Sequence, residues 1–386
     1  MFNLTHMLKL LILLLIVLPA IFSSFIPIQI QALLYSVSLS IKSILIFVVP
    51  FIVFALTFSS ASSLKTDTFK FIILLLFAVC LSNLLSSLLA YFAGCIMFNN
   101  IRVIPNIEQV KDGLSPLWHF KLPIMISNFQ ALFLGFACGI VSSYASPEKG
   151  KIIGDKLLKG ALFFLKKVLS PIIPIFILGF VLKLLHDQVL STMFNSYFII
   201  LITTIFITYF YIFLLYGAAS SFKIKDWFMS INNMLPAFIT AITTMSSSMA
   251  MPMTLMGSEK NTKERNVTFS VIPATVSIHL IGDCFFIIIL TLAITSSFNE
   301  HSLNITDHAV FLFFFLLSKF AIAAVPGGGI IVMLPVLEQY LKFSPAMLSL
   351  ITALYMLLDP IITSANVMGN GAFTMLFTKF YKKVKK

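Results

Sequence analysis

A chain of 386 residues with 59% hydrophobic and only 10% charged side chains has too little polar surface for a soluble fold, in which about 25% of residues are charged. The net charge of +12 would suit nucleic acid only if it were gathered on a solvated basic face. Here the lysines fall in short connectors between apolar runs, which points away from nucleic acid and towards a lipid-embedded protein.

A membrane-crossing helix needs about 20 apolar residues. Residues 8–28 run from Lys9 through an apolar stretch to Ala20 and Ser24. The pattern is that of a signal peptide, but in a multi-span chain it reads as an uncleaved first helix. Further spans are predicted at 34–61, 69–98, 122–146, 160–186, 194–220, 267–296 and 346–379. Two more apolar stretches, 228–257 and 309–342, are interrupted in their middles. The first carries Ser246-Ser247-Ser248 and Pro252, the second Val325-Pro326-Gly327-Gly328-Gly329. Pro and Gly break helices, and broken backbone is tolerated at membrane depth only where protein or a water-filled cavity satisfies it. Both stretches are therefore expected to be re-entrant helical hairpins whose tips meet inside the protein.

The fold class expected is all-α and integral to the membrane, with eight transmembrane helices and two re-entrant hairpins. With the N-terminus inside, the inside connectors hold seventeen Lys and Arg residues. The outside ones hold four, Arg102, Lys111, Lys121 and Lys342. This asymmetry predicts a multi-pass protein of the cytoplasmic (inner) membrane with both termini cytoplasmic. The longest polar connector, 99–121, falls outside. Cys80, Cys95, Cys138 and Cys284 lie in apolar runs at spacings that match no zinc or redox motif.

Ionisable residues within apolar spans are costly and are functional candidates by default. The candidates are Lys42, His279, Asp283, Lys319 and Asp359. His279 and Asp283 are four residues apart, a spacing that places them on one helical face, as a hydrogen-bonded pair or as part of proton or cation coupling. A metal centre would need more ligands than this pair supplies. In the last span Asp359, Thr363, Asn366 and Asn370 follow at spacings of 4, 3 and 4, again one face. That polar stripe must meet protein or water. Interrupted helices offer free N–H and C=O groups near the midplane, so two broken hairpins beside such a stripe have the parts of a transporter.

These residues resemble the dicarboxylate/amino acid:cation symporter family, which includes the glutamate transporters. Ser246-Ser247-Ser248 with Pro252 and Thr254 is similar to its serine-rich first-hairpin motif. Ser318-Lys319 and Ala324-Val325-Pro326-Gly327-Gly328-Gly329 resemble the tip region of its second hairpin. Thr363, Asn366-Val367 and Gly369 resemble its last-span motif, and Lys42 with Val48-Val49-Pro50 fits the second span. The resemblance implies a glutamate-transporter-like elevator fold in a homotrimer. Residues 1–225 would form mainly scaffold and trimer contacts, with the third span and part of the sixth packing on the core. Residues 226–386 would form the transport core. It implies that Asp359 takes a substrate amino group and that Ser247 and Asn366 hold its carboxylate, helped by backbone at Ser246 and Gly329. Thr363 would line the pocket, and Val325, Pro326, Gly327 and Gly328 would form the gate. The partners implied are lipid and a small-molecule substrate, with no cofactor beyond a transported cation.

The departures from the family pattern bear on the cargo. Members that bind acidic side chains carry an Arg where this chain has Ile362, and an aliphatic chain cannot pair with a second carboxylate. This argues for a small neutral amino acid. Gly369-Asn370-Gly371 instead resembles the C4-dicarboxylate branch, so a glutamate or dicarboxylate symporter is the alternative. The family's seventh-span sodium-binding Asp is Ile281 here, and the last span's second sodium carboxylate is Asn370. One site of backbone carbonyls around Ser277, Leu280 and Ile322 would remain for sodium, while His279 and Asp283 bring titratable groups that suit protons. A channel-like or degenerate member is a further alternative. A membrane-embedded enzyme would need a clustered nucleophile and base or more ligands, and only His279 and Asp283 approach that.

Overall fold

The computed structural model describes residues 25–62, 69–100, 114–123, 125–126, 128–164, 167–168, 170–186, 189–298, 305–322 and 327–385. Most of the predicted first span and the core of the 99–121 connector lie outside the described residues. The described residues are helical, with no strand among them. The helices are α1 (Ile28–Ser62), α2 (Phe69–Asn100), α3 (Asn128–Ala145), α4 (Pro147–Phe164), α5 (Ser170–His186), α6 (Val189–Ala219), α7 (Ile224–Thr244), α8 (Ser247–Thr262), α9 (Arg265–Thr275), α10 (Ile281–Phe298), α11 (Ile305–Ser318), a 3₁₀ turn (Lys319–Ala321), α12 (Gly328–Leu341) and α13 (Pro345–Lys385). Among the described residues four stretches are long and apolar enough to cross a membrane: Ile73–Phe98, Tyr197–Ala219, Ile281–Phe298 and Pro345–Val384. The span expected at 34–61 lies within the single helix α1, and the one expected at 122–146 is the shorter α3. The stretch expected at 160–186 falls into α4 and α5, and α4 carries Glu148, Lys149, Lys151, Asp155, Lys156 and Lys159 on exposed or half-buried surface.

Several helices are built inside out compared with those of a soluble protein. On α2 the exposed large hydrophobic residues are Ile73, Phe77, Leu81, Leu85, Leu89, Phe92 and Ile96, one apolar stripe at spacings of three and four. Its buried residues include Asn83, Ser86 and Ser87. On α6 Phe198, Ile202, Phe206 and Phe210 face out while Thr204 and Thr208 are buried. Each of those threonines donates its hydroxyl to the carbonyl four residues back, so neither hydroxyl is left unpaired in the interior. Lipid accepts the apolar stripe, and the polar residues turn towards other helices.

Two packing groups follow. In the first, α1 packs on α3, α4 and α5. Gly135 and Gly139 of α3 allow this approach: a Cβ at Gly135 would lie 1.9 Å from Thr57 Oγ1, and one at Gly139 would lie 2.6 Å from Ala61 Cβ. Small residues at helix contacts are the usual way to bring backbones together in a membrane. In the second, α10 lies between α2 and α13, and α13 also packs on α6, α7 and α8. Tyr209 and Tyr216 of α6 donate to the Ile361 and Met368 carbonyls of α13. At one end of this group Lys379 donates to Ser221 and Lys382 pairs with Glu264 at 2.6 Å. The C-terminus thus shares an end with the 220–223 and 263–264 connectors.

Candidate functional site

Both interrupted stretches are helix–break–helix units. In the first, α7 ends at Met245, which takes the left-handed conformation (φ 50°) and returns its N–H to Ala241. Ser246 then caps α8, its hydroxyl accepting from Met249 N–H at 3.4 Å. The tip is therefore Met245–Ser246, closed by its own neighbours. Ser246 and Ser247 are buried.

In the second hairpin, α11 tightens into the 3₁₀ turn, and α12 starts at Gly328 after Gly327. Val325 and Pro326 lie outside the described residues. Gly327 has φ 68°, which favours glycine, and a Cβ there would press on the flexible end of the Met356 side chain. Its N–H donates to Asp359 Oδ2 at 3.0 Å. A Cβ at Gly329 would lie 2.2 Å from Asp283 Oδ1 and 2.4 Å from the Tyr355 hydroxyl oxygen. The first turn of α12 thus stands directly on two buried carboxylates.

The predicted polar stripe of the last span is buried against protein along its length. Asp359 Oδ1 accepts from Thr363 at 3.1 Å. Asn366 donates to Asp283 Oδ2 at 2.7 Å, and its amide oxygen accepts from Asp283 N–H at 3.3 Å. Asn370 accepts from the Thr275 hydroxyl at 2.7 Å. The side chain at 362, on the same helix, is fully buried. Its carbonyl sits where a Cβ on Gly282 would fall, at 2.4 Å, so α10 and α13 are in backbone contact beside the stripe.

The seventh span was expected to be continuous across 267–296 and is not. α9 ends at Thr275, residues 276–280 are non-helical, and α10 begins at Ile281. The expected shared face of His279 and Asp283 is lost, because His279 is in the break and Asp283 is in the first turn of the next helix. Each has its own partners. His279 Nε2 meets Ser82 Oγ at 2.9 Å and its ring lies 4.3 Å from that of Phe373, while Nδ1 has no hydrogen-bond partner. Asp283 accepts from Tyr355 at 2.6 Å as well as from Asn366. The break is held from α2: Asn83 donates to the Ile278 carbonyl at 2.7 Å and accepts from Leu280 N–H at 3.2 Å. A single amide side chain thereby satisfies a carbonyl and an N–H that the break sets free.

The residues named for a carbonyl site separate by role. Ser277 is half-buried in the break, Leu280 is buried beside it, and Ile322 follows the 3₁₀ turn. The Leu280 carbonyl is met by the Lys319 ammonium at 3.3 Å. The side chain of Lys42 lies outside the described residues. Sequence reasoning did not single out Ser82, Asn83 or Tyr355. Asn83 could have been found by the rule applied to Asp359, since it is a polar side chain in the middle of a 32-residue apolar helix.

Two buried carboxylates, an amide and the N-terminus of α12 converge at the second hairpin's tip. Residues 8–380 match the model of the sodium:dicarboxylate symporter family. With two broken hairpins, a broken seventh span and a polar last helix all converging within that match, the chain belongs to the sodium:dicarboxylate symporter family.

Proposed function

We propose that this protein is a secondary active symporter that moves a small neutral amino acid across the cytoplasmic membrane, coupled to cations. The observation that carries the reading is the charge of the site. Asp283 and Asp359 are both buried beside α12, and the last span offers buried Ile362 where a cation would be needed for an acidic side chain. Lys319 is engaged with the Leu280 carbonyl. A second carboxylate on the substrate would meet like charge without a partner, which is unfavourable in a low-dielectric interior. An amino group would meet Asp359.

In this reading the substrate's carboxylate is held near Ser247, Asn366 and the backbone of Ser246 and Gly329, with Thr363 lining the pocket. Val325 to Gly328 act as the gate. Residues 226–386 move as a transport core against a trimeric scaffold drawn from residues 1–225, as an elevator. The coupling cations are sodium, protons or both. The lost carboxylates at Ile281 and Asn370 reduce the sodium sites, and His279 with Asp283 add titratable groups. The grouping of the C-terminal lysines with the 220–223 and 263–264 connectors at one end supports cytoplasmic termini.

Uptake of labelled amino acids into proteoliposomes, with sodium and proton gradients imposed separately, tests this. Uptake of a neutral amino acid is expected. Uptake of glutamate or succinate, with neutral amino acids failing to compete, contradicts it.

A further inference from the structure

Lys319 is a lysine with no exposed surface. It opens the 3₁₀ turn that ends the first arm of the second hairpin. Its Nζ donates to the Leu280 carbonyl at 3.3 Å and lies 4.3 Å from the centre of the Phe315 ring. The same carbonyl accepts Cys284 N–H at 3.1 Å, so both of its lone pairs are in use. Among the described residues Lys319 is in no ion pair. A buried ammonium held by a carbonyl dipole and an aromatic face has the neutral environment that suits a bound alkali cation, and neither ligand needs a proton removed to do it. Leu280 is the last residue of the break in the seventh span, so its carbonyl both starts the α10 ladder and faces the Lys319 ammonium; unwound backbone of this kind is where transporters coordinate cations.

We infer that Lys319 is a resident, covalently tethered cation: its ammonium occupies the cation position at the Leu280 carbonyl, so that no sodium ion binds there. It joins the second hairpin's first arm to the broken span, the work a transported ion in that position would do only when bound. Two features nearby agree. Ile281, the next residue, and Asn370, which bonds Thr275 at the other side of the break, supply no carboxylate to draw in a metal cation. The ammonium itself would repel one at close range.

The inference rests on the symport reading for its meaning in coupling, but its test needs no uptake. Purified full-length protein in detergent is unfolded by heat in sodium chloride and in choline chloride at equal ionic strength, and binding of radioactive sodium is measured beside it. The wild type sets the baseline for any sodium bound elsewhere in the protein. Lys319→Ala should be less stable in choline and gain, beyond that baseline, both a sodium-specific rise in midpoint and an additional saturable sodium site, because it frees the carbonyl. Lys319→Arg should respond to sodium as the wild type does. A wild-type protein that sodium stabilises as much as the Ala variant overturns the inference, as does an Ala variant that folds and ignores sodium. If Lys319→Ala does not accumulate, Lys319→Met, which keeps the apolar stem without the charge, is measured in its place: an additional saturable sodium site supports the proposal and its absence overturns it. A protein that carries an acidic substrate yet ignores sodium would contradict the proposed substrate and leave this inference standing.

Discussion

The two hairpin tips solve one problem in different ways. Each joins two helices at a break and must satisfy the backbone groups freed there. The first does so locally: Met245 returns its N–H to Ala241, and Ser246 caps Met249. The second reaches across the chain, since Gly327 N–H is held by Asp359 and Gly329 rests against Asp283 and Tyr355. Those bonds at the first tip come from its own hairpin. A tip held by a buried carboxylate of another helix is coupled to whatever that carboxylate binds. A substrate amino group at Asp359 would compete with or reinforce the bond to Gly327, which makes the second tip the one suited to sense occupancy.

The largest expected effect comes from cutting that long-range link. Asp359→Asn removes a charged acceptor from Gly327 and Thr363 and, on the proposed function, the anchor for the amino group. At about 1.5–3 kcal/mol for a hydrogen bond to a charged group, uptake into proteoliposomes should fall roughly 10- to 150-fold. Gly329→Ala should follow, because its Cβ would press on Asp283 and Tyr355. Overpacking of this kind costs about 1–3 kcal/mol, to be seen as a lower unfolding midpoint in detergent together with weaker uptake. Asn83→Leu strips both hydrogen bonds from the seventh-span break and should cost about 1–2 kcal/mol of stability without opening either tip. The smallest effect is Ser246→Ala. Its cap is long at 3.4 Å, so a loss near the low end for caps, about 0.5 kcal/mol, is expected, and transport should persist. If Ser246→Ala were as damaging as Asp359→Asn, the distinction between the tips would be lost.

The same contrast explains what could be seen in the sequence. The hairpins were legible because their breaks carry serines, Pro and Gly, which punctuate an apolar run by themselves. The last-span stripe was legible because α13 stays helical from Pro345 to Lys385, so spacings of 4, 3 and 4 map onto one real face. The break at 276–280 was not, because no Gly or Pro lies within it. It is held by Asn83, from almost two hundred residues earlier in the chain, and a tertiary partner leaves no local mark. The pairing expected of His279 and Asp283 failed for that reason, since helical spacing means nothing across a break. Tyr355 escaped notice as one more aromatic in an apolar run, although its hydroxyl donates to Asp283. Lys319 was legible as an ionisable residue in an apolar run, but its burial against the Leu280 carbonyl depends on how the hairpin arm folds over the broken span.

The most direct measurement compares the two tips in one protein. With Cys80, Cys95, Cys138 and Cys284 replaced by Ser, a single cysteine is placed at Ile330 in the first turn of α12 or at Ser247 in the first turn of α8. Labelling by a water-soluble maleimide is then timed with and without Asp359→Asn. Both positions are buried, so both should label slowly in the parent. The account predicts that Asp359→Asn speeds labelling at Ile330→Cys about tenfold or more, the equivalent of roughly 1.4 kcal/mol, and leaves Ser247→Cys unchanged. Equal acceleration at the two tips, or none at Ile330→Cys, would contradict it.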